Sequence, residues 1–286
     1  MNVHEQVEIV LDARYVNDMS PGHMGSRIMR FIRQSDQASL VVKYAHPKNR
    51  LASNDLAENV FAYSGLKKIG ASIMLPKDIQ VISIWGEKVL VMSDIGQTMA
   101  QRNGGVKEFN FLAKHLLNVL EKTRCTTSED IADIGERETL RNIKRFLPKG
   151  SNICLSIAQS GENKLKKLAV MVLDFTPDNV SVNENGLSFI DPWRQRSYLG
   201  NPAISIGQFV TLARLYKMRD AKAGGEVLEG MAKVKLPKLL GTKSSVIERG
   251  LKLGATLQYV LSAYVRRNSE PEQSRDFLNR ARDMWI

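Results

Sequence analysis

The chain has 286 residues, of which 43% are hydrophobic and 25% are charged, the balance of an ordinary globular protein. It contains no run of 18 apolar residues and no leader pattern at its start, so we expect a cytoplasmic protein without a membrane span or signal peptide. Its two cysteines, Cys125 and Cys154, exclude a disulfide framework and lie in no zinc-binding pattern.

The net charge is strongly positive, at +11. Such a balance attracts nucleotides, nucleic acids, acidic substrates or membrane surfaces without choosing among them. Residues 211–286 carry 15 Lys and Arg against 8 Asp and Glu, scattered at helical spacings. Because few aromatic residues alternate with these charges, we interpret them as a solvated helix surface, and a nucleic-acid partner stays open but is not favoured.

The first third of the chain has the pattern of strands with one inserted helix. Apolar and partly alternating runs predict strands at Val7–Ala13, Arg27–Arg33, Ser39–Tyr44, Ile79–Trp85 and Lys88–Met92. Asn54 or Asp55 is a predicted N-cap for a helix that runs to about Ile69. Gly86-Glu87 predicts a tight hairpin turn between the last two strands. The pattern therefore indicates a small α+β lobe.

The pattern changes to helix after Gly96, which places the predicted boundary between two lobes, residues 1–95 and 96–286. Helices are predicted at Val106–Lys122, Ser128–Phe146 and Asn152–Ala169, and short strands at Ala169–Leu173, Val180–Val182 and Leu187–Ile190. From Ile204 onward the pattern is mainly that of amphipathic helices. The second lobe is therefore predicted to be larger and mainly helical.

The strongest chemical signal lies at the short strands of this second lobe. A hairpin folded at Asn185-Gly186 would bring its two ends together, with Asn179 at one end and Asp191 at the other. Their oxygen atoms suit Mg²⁺, which takes few protein ligands and completes its shell with phosphate and water. Asp174 lies five residues before Asn179 and could reach a substrate hydroxyl. This spacing predicts a metal–nucleotide site.

The sequence from Asp174 to Trp193 resembles the active-site segment of the aminoglycoside phosphotransferase and choline kinase group. The shared features are Asp-x-x-x-x-Asn, two short strands and Ile-Asp-Pro-Trp. The resemblance implies a protein-kinase-like two-lobed α+β fold with a small β-rich N-lobe. It also implies transfer of the γ-phosphate of ATP or GTP to a hydroxyl of a small molecule. In that reaction Asp174 would be catalytic, and Asn179 and Asp191 would hold Mg²⁺.

The resemblance assigns roles to residues of the first lobe as well. Lys43 ends a short apolar strand, as the phosphate-binding lysine does in this group, and Glu58 on the predicted helix would pair with it. The remaining nucleotide contacts that it implies are a phosphate-covering loop with Gly22, Gly25 and Ser26, and an adenine-binding linker with Ser93 and Ile95. Because the C-terminal helices are net positive, we expect a neutral or anionic acceptor rather than a polycation.

Two positions depart from the family pattern. Val172-Leu173 stands where the family has His-Gly, and Ser205 stands where it has an Asp that braces the catalytic loop. We interpret the paired loss as an apolar replacement of a polar brace, which need not abolish chemistry. The departures leave two alternatives open, a kinase-like binding or scaffold protein without turnover and an atypical protein kinase. Against the second, no Ala-Pro-Glu segment follows Asp191.

Overall fold

The chain forms two compact units of different composition. The computed structural model describes residues 2–19, 25–46, 48–126, 134–148, 151–159, 165–192, 194–195 and 197–285. The first unit comprises residues 1–64 and 75–96, and the second comprises residues 65–74 and 97–286. The first is built on a sheet and the second mainly on helices.

The first unit is an antiparallel five-stranded sheet. Its strands are β1 (Ala13–Asp18), β2 (Arg27–Arg33), β3 (Ser39–Tyr44), β4 (Gln80–Ile84) and β5 (Glu87–Ser93), in the order β1-β2-β3-β5-β4. Alternate residues of the central strands, among them Phe31, Val42 and Val91, are fully buried in a core on one face. Lys43 follows Val42 and therefore emerges on the opposite face.

The segment predicted as a first strand at Val7–Ala13 is mostly a helix, α1 (Val3–Leu11), and the strand begins at Ala13. A capping box starts this helix, because Asn2 Oδ1 accepts from the Glu5 N–H and a Glu5 carboxylate oxygen accepts from the Asn2 N–H. Val7 is completely buried in the sheet core. The prediction was wrong because a short apolar run of this length fits either structure.

The long helix of the first unit begins earlier than predicted. Helix α2 spans Arg50–Lys68, and the predicted caps Asn54 and Asp55 lie inside it. Asn49 takes the capping role, since its Oδ1 accepts from the Ala52 N–H at 3.1 Å.

The predicted hairpin between β4 and β5 is confirmed, with its turn one residue earlier than expected. Ile84 pairs with Glu87, so Trp85 and Gly86 form the turn. Both residues have positive φ, 51° and 81°, as a two-residue type I′ turn requires.

The second unit consists of helices and short strands. Its helices are α3 (Val106–Thr123), α4 (Ile134–Phe146), α5 (Ile153–Gln159), α6 (Ala203–Leu215), α7 (Ala221–Leu240), α8 (Ser244–Arg266) and α9 (Pro271–Asp283). Its strands are β6 (Cys125–Thr126), β7 (Lys167–Val170), β8 (Val180–Asn183), β9 (Gly186–Phe189) and β10 (Leu199–Gly200). The helix predicted over Asn152–Ala169 is wrong in its last part, because Lys167–Val170 pairs with β6 and β10 as a strand.

Helices α6 and α8 cross in close contact through glycines. A side chain at Gly207 would overlap the backbone oxygen of Leu251, and one at Gly254 would overlap that of Ile204. The two backbones can touch only because these positions carry no Cβ. This crossing fixes α6, whose residues 203–213 are all buried, against the long helix α8.

Among the helices that the structure describes, none has the length and apolar character needed to cross a membrane.

Candidate active site

The predicted hairpin at the centre of the site is present. Val180 pairs with Phe189, and the Ile190 N–H donates to the Asn179 carbonyl oxygen at 2.9 Å. The turn lies at Glu184-Asn185, one residue earlier than predicted, where Asn183 Oδ1 accepts from the Asn185 and Gly186 N–H groups. The pairing places Asn179 and Asp191 on either side of the open end of the hairpin.

Asn179 also contacts the predicted catalytic residue. Its Nδ2 donates to Asp174 Oδ2 at 2.9 Å and to the Asp174 carbonyl oxygen at 3.2 Å. Both residues are only partly buried, so a ligand can reach them. Because the amide nitrogen is used in these two bonds, Oδ1 is the atom of Asn179 that could ligate a cation.

Two of the three site residues predicted in the second unit have an unusual backbone conformation. Asp174 has φ +78° and Asp191 has φ +49°, a region that residues with a Cβ seldom occupy. Such conformations cost about 1–3 kcal/mol each and occur often at functional sites, where surrounding contacts hold them.

The loop that carries Asp174 is anchored on its far side by buried aromatic rings. Phe175 is 1% exposed and lies 5.6 Å from Phe189 and 5.5 Å from Phe209, measured between ring centroids. Phe109 of α3 packs on Phe209 at 6.0 Å. The residue after Asp174 is thus fixed between the hairpin and helices α3 and α6.

The interpretation of the departure at Ser205 as an apolar replacement was wrong. Ser205 Oγ accepts from the Val172 N–H and donates to the Val172 carbonyl oxygen, both at 2.9 Å. The next two N–H groups along the chain also donate to side chains, that of Leu173 to Gln195 Oε1 at 2.8 Å and that of Asp174 to Gln208 Oε1 at 3.0 Å. The brace is therefore polar and uncharged.

Sequence reasoning missed both glutamines of this brace. The signal for Gln208 is its spacing, since a residue three positions after Ser205 lies on the same helix face. Gln195 lies outside regular structure and gives no comparable signal.

At the exposed side of the same loop, Tyr216 donates a short hydrogen bond to Asp178. Burial of its ring, together with this bond to a carboxylate, raises the pKa of the Tyr216 phenol above its usual range. The proton therefore stays on Tyr216, and Asp178 is tied to the end of α6.

In the first unit, Lys43 is 4% exposed and forms an ion pair on helix α2. Its Nζ lies 2.8 Å from Asp55 Oδ2 and donates to Asn59 Oδ1 at 2.7 Å. The predicted partner, Glu58, is exposed instead. Asp55 and Asn59 are four residues apart and share one helix face, whereas Glu58 directly precedes the buried Asn59 and is turned toward solvent.

The other predicted nucleotide contacts have mixed outcomes. Gly22 lies outside the described residues. Gly25 has φ +78°, and Ser26 is fully buried with an Oγ that has no hydrogen-bond partner among the described residues. The Ser93 N–H donates to the Lys77 carbonyl oxygen at 2.8 Å. The adenine contacts at Ser93 and Ile95 stay predictions.

The donor set of the second unit fits a magnesium ion better than a transition metal. Among the residues described, there is no group of three or more His, Cys, Asp or Glu side chains that could hold a metal. The predicted ligands, the amide oxygen of Asn179 and the carboxylate of Asp191, are a small set of oxygen donors. Mg²⁺ accepts such a set because it keeps several waters and binds substrate phosphates.

Neither a protein-family model nor a curated protein sequence matches the chain. Solved structures of small-molecule phosphotransferases do share its fold. An ethanolamine kinase of Plasmodium vivax superimposes with a TM-score of 0.51 at 10% identity, over 96% of this chain and 82% of that one. A choline/ethanolamine kinase family protein from Mesorhizobium loti gives 0.52 at 12%, over 94% and 88%.

A third structure, the GDP complex of wild-type aminoglycoside 2'-phosphotransferase-IIIa, gives a TM-score of 0.54 at 7% identity, over 98% of this chain and 97% of that one. The predicted resemblance is thus confirmed at the level of the fold. The chain has a two-lobed α+β fold of the kind found in these kinase-like phosphotransferases. Identities of 7% to 12% carry the fold alone, and the reaction depends on the residues of the site.

Proposed function

We propose that the chain is a phosphotransferase that moves the γ-phosphoryl group of ATP or GTP to a hydroxyl of a small molecule. The observation that carries the proposal is the joined geometry of Asp174, Asn179 and Asp191. The hairpin pairs the backbone of Asn179 with that of Ile190, the residue before Asp191, and Asn179 Nδ2 donates to Asp174 Oδ2. The shared fold with small-molecule phosphotransferases supports the same kind of reaction.

Asp191 and Asn179 Oδ1 would hold Mg²⁺, which would neutralise charge on the nucleotide phosphates. Asp174 would orient the acceptor hydroxyl and accept its proton as the new oxygen–phosphorus bond forms and the nucleoside diphosphate leaves. The Asn179 bond to Oδ2 keeps the Asp174 carboxylate in one orientation during this step. Positioning matters most here, since phosphoryl transfer needs little covalent help from the protein.

Lys43 would contact the nucleotide phosphates, and Asp55 takes the pairing role that we assigned to Glu58. A buried ammonium group between Asp55 and Asn59 is held in one place, as a phosphate contact requires. Gly25 and Ser26 would belong to a phosphate-covering loop, in which the positive φ of Gly25, +78°, allows a tight turn.

The acceptor is proposed to be a neutral or anionic hydroxylated molecule, on the ground that residues 211–286 are net positive. A suitable experiment offers both Mg-ATP and Mg-GTP to the protein with panels of amino alcohols, sugars and nucleosides. Formation of the nucleoside diphosphate above the acceptor-free rate identifies the acceptor class. The Asp174→Asn variant should abolish that difference, and equal rates in the variant and the wild type would contradict the assigned role.

A further inference from the structure

The backbone ahead of Asp174 is held by side chains rather than by a neighbouring strand. Three successive N–H groups, those of Val172, Leu173 and Asp174, each donate to an uncharged side chain. A buried N–H that loses its acceptor is strongly disfavoured, because it has already given up its hydrogen bond to water. The three acceptors therefore decide where the chain turns into the positive-φ conformation of Asp174.

The acceptor at Asp174 is itself oriented by a second amide. Gln208 is completely buried and directs Oε1 at the Asp174 N–H, so its Nε2 donates to Gln258 Oε1 at 3.3 Å. Gln258 is 6% exposed, and its Nε2 donates to Ser262 Oγ at 3.3 Å. Each amide can satisfy its neighbours in only one orientation, because one end donates and the other accepts.

This chain of amides reaches from the loop through α6 into α8. The glycine crossing at Gly207 and Gly254 holds these two helices at backbone contact, which sets the distance between Gln208 and Gln258. A rigid support of this kind is what a reacting group needs, because displacement by about 1 Å can lower a rate about 100-fold.

We propose that Gln208, oriented by Gln258, is a positioning residue for Asp174 and replaces a charged brace with a neutral one. The proposal rests on the phosphotransferase function proposed above. With Gln208 in this place, the acceptor at the Asp174 N–H is an uncharged amide and not a second carboxylate. The brace therefore holds the loop through the directions of its hydrogen bonds.

The first arm of the test measures the loop without any turnover. Amide hydrogen exchange at Asp174 should be faster in Gln208→Leu than in wild type, and unchanged in Thr211→Val. Thr211 is the matched control because it is a buried polar residue of α6 that lines a cavity with Gly207 and Arg214. Equal exchange at Asp174 in all three proteins would overturn the proposal, whatever the protein catalyses.

The second arm measures kinetics with the acceptor found in the screen. Gln208→Leu should lower kcat about 10- to 100-fold with the KM for nucleotide changed less than about twofold. Gln208→Glu should restore part of kcat, because its carboxylate oxygen can still accept from the Asp174 N–H. An unchanged kcat in Gln208→Leu would overturn the proposal.

Two further controls keep the outcomes separate. If Gln208→Leu does not fold, Gln258→Leu removes only the orienting bond and should give the same changes at a smaller size. If the wild type turns over no acceptor, the phosphotransferase function fails, while the exchange arm still decides whether Gln208 holds Asp174.

Discussion

The polar clusters around Lys43 and Asp174 are held in opposite ways. Lys43 in the first unit is fixed by an ionised partner, Asp55, with help from Asn59. Asp174 in the second unit is fixed by neutral groups, Asn179 at its carboxylate and Gln208 at its N–H. A buried ammonium group needs a negative charge beside it. A carboxylate that must accept a proton or face a metal ion is better held by uncharged hydrogen-bond donors.

The largest effect is expected when the charge of Asp174 is removed. We expect Asp174→Asn to lower kcat about 100- to 10,000-fold, the range that positioned acid–base groups contribute, while nucleotide affinity stays close to wild type. Asp220→Asn is a matched control, since Asp220 is an exposed aspartate that also has a positive φ, 56°. Loss of activity in both variants would trace the effect to general backbone disturbance and contradict the assigned role.

The second change removes the charge pairing of the first unit. We expect Lys43→Met to weaken nucleotide binding about 10- to 150-fold, the equivalent of a charge-assisted hydrogen bond of about 1.5–3 kcal/mol. Titration calorimetry with the Mg–nucleotide measures this directly.

The identity of the Lys43 partner can be tested with two matched variants. Asp55→Asn should weaken nucleotide binding in the same direction as Lys43→Met, and lower the stability by about 1–3 kcal/mol, because it leaves Lys43 without its counter-charge. Glu58→Gln on the same helix should change neither quantity. The reverse ranking of these two variants would restore Glu58 as the partner and refute the pairing described here.

The close crossing of α6 and α8 is the scaffold of the neutral brace. We expect Gly254→Ala to lower the free energy of unfolding by about 1–3 kcal/mol, since the new methyl group would overlap the backbone of α6. Gly230→Ala in α7, where nothing lies within 4 Å, should instead raise it by about 0.5–1 kcal/mol. Urea unfolding curves of the two variants should therefore move in opposite directions, and a shared direction would count against the tight crossing.

The smallest effect is expected at the exposed end of the loop, where Tyr216 is hydrogen-bonded to the carboxylate of Asp178. Because the pKa of Tyr216 is raised in the folded protein, its contribution to stability is complete below its ordinary value of about 10 and is lost as the pH rises through the folded value. Wild type should thus lose stability more steeply than Tyr216→Phe above pH about 10, by less than about 1 kcal/mol since Tyr216 is 44% exposed. Parallel pH profiles would show that folding does not raise the pKa of Tyr216, and would contradict the burial of its ring and its bond to Asp178.

The parts of the fold that follow from local pattern were predictable. Strands β2 and β3 were predicted with the bounds that the structure gives, and the hairpin around Asn179 and Asp191 was found from turn residues and strand residues close together in sequence. Helix α1 was missed because its apolar run is short, although Asn2 and Glu5 form a capping box that a search for helix starts would find.

The brace at Asp174 could not be predicted in the same way. Gln195 lies 22 residues from the N–H that it accepts from, and Gln208 lies 34 residues away. Local periodicity does not report which distant side chains meet a backbone group. The pairing of Lys43 failed for a related reason, because the start of α2 was placed at Asn54 or Asp55 instead of after Asn49, and Asp55 was treated as a cap.

The proposed role of Asn179 and Asp191 in a metal-dependent nucleotide site can be measured in one titration. Mg-ATP and Mg-GTP are titrated into wild type and Asp191→Ala, with and without EDTA, after both proteins have been shown to be folded. The account predicts that at least one nucleotide binds wild type only with Mg²⁺, and that this binding is lost in Asp191→Ala. Absence of binding to folded wild type, or equal binding to both proteins, would contradict it and favour a kinase-like scaffold.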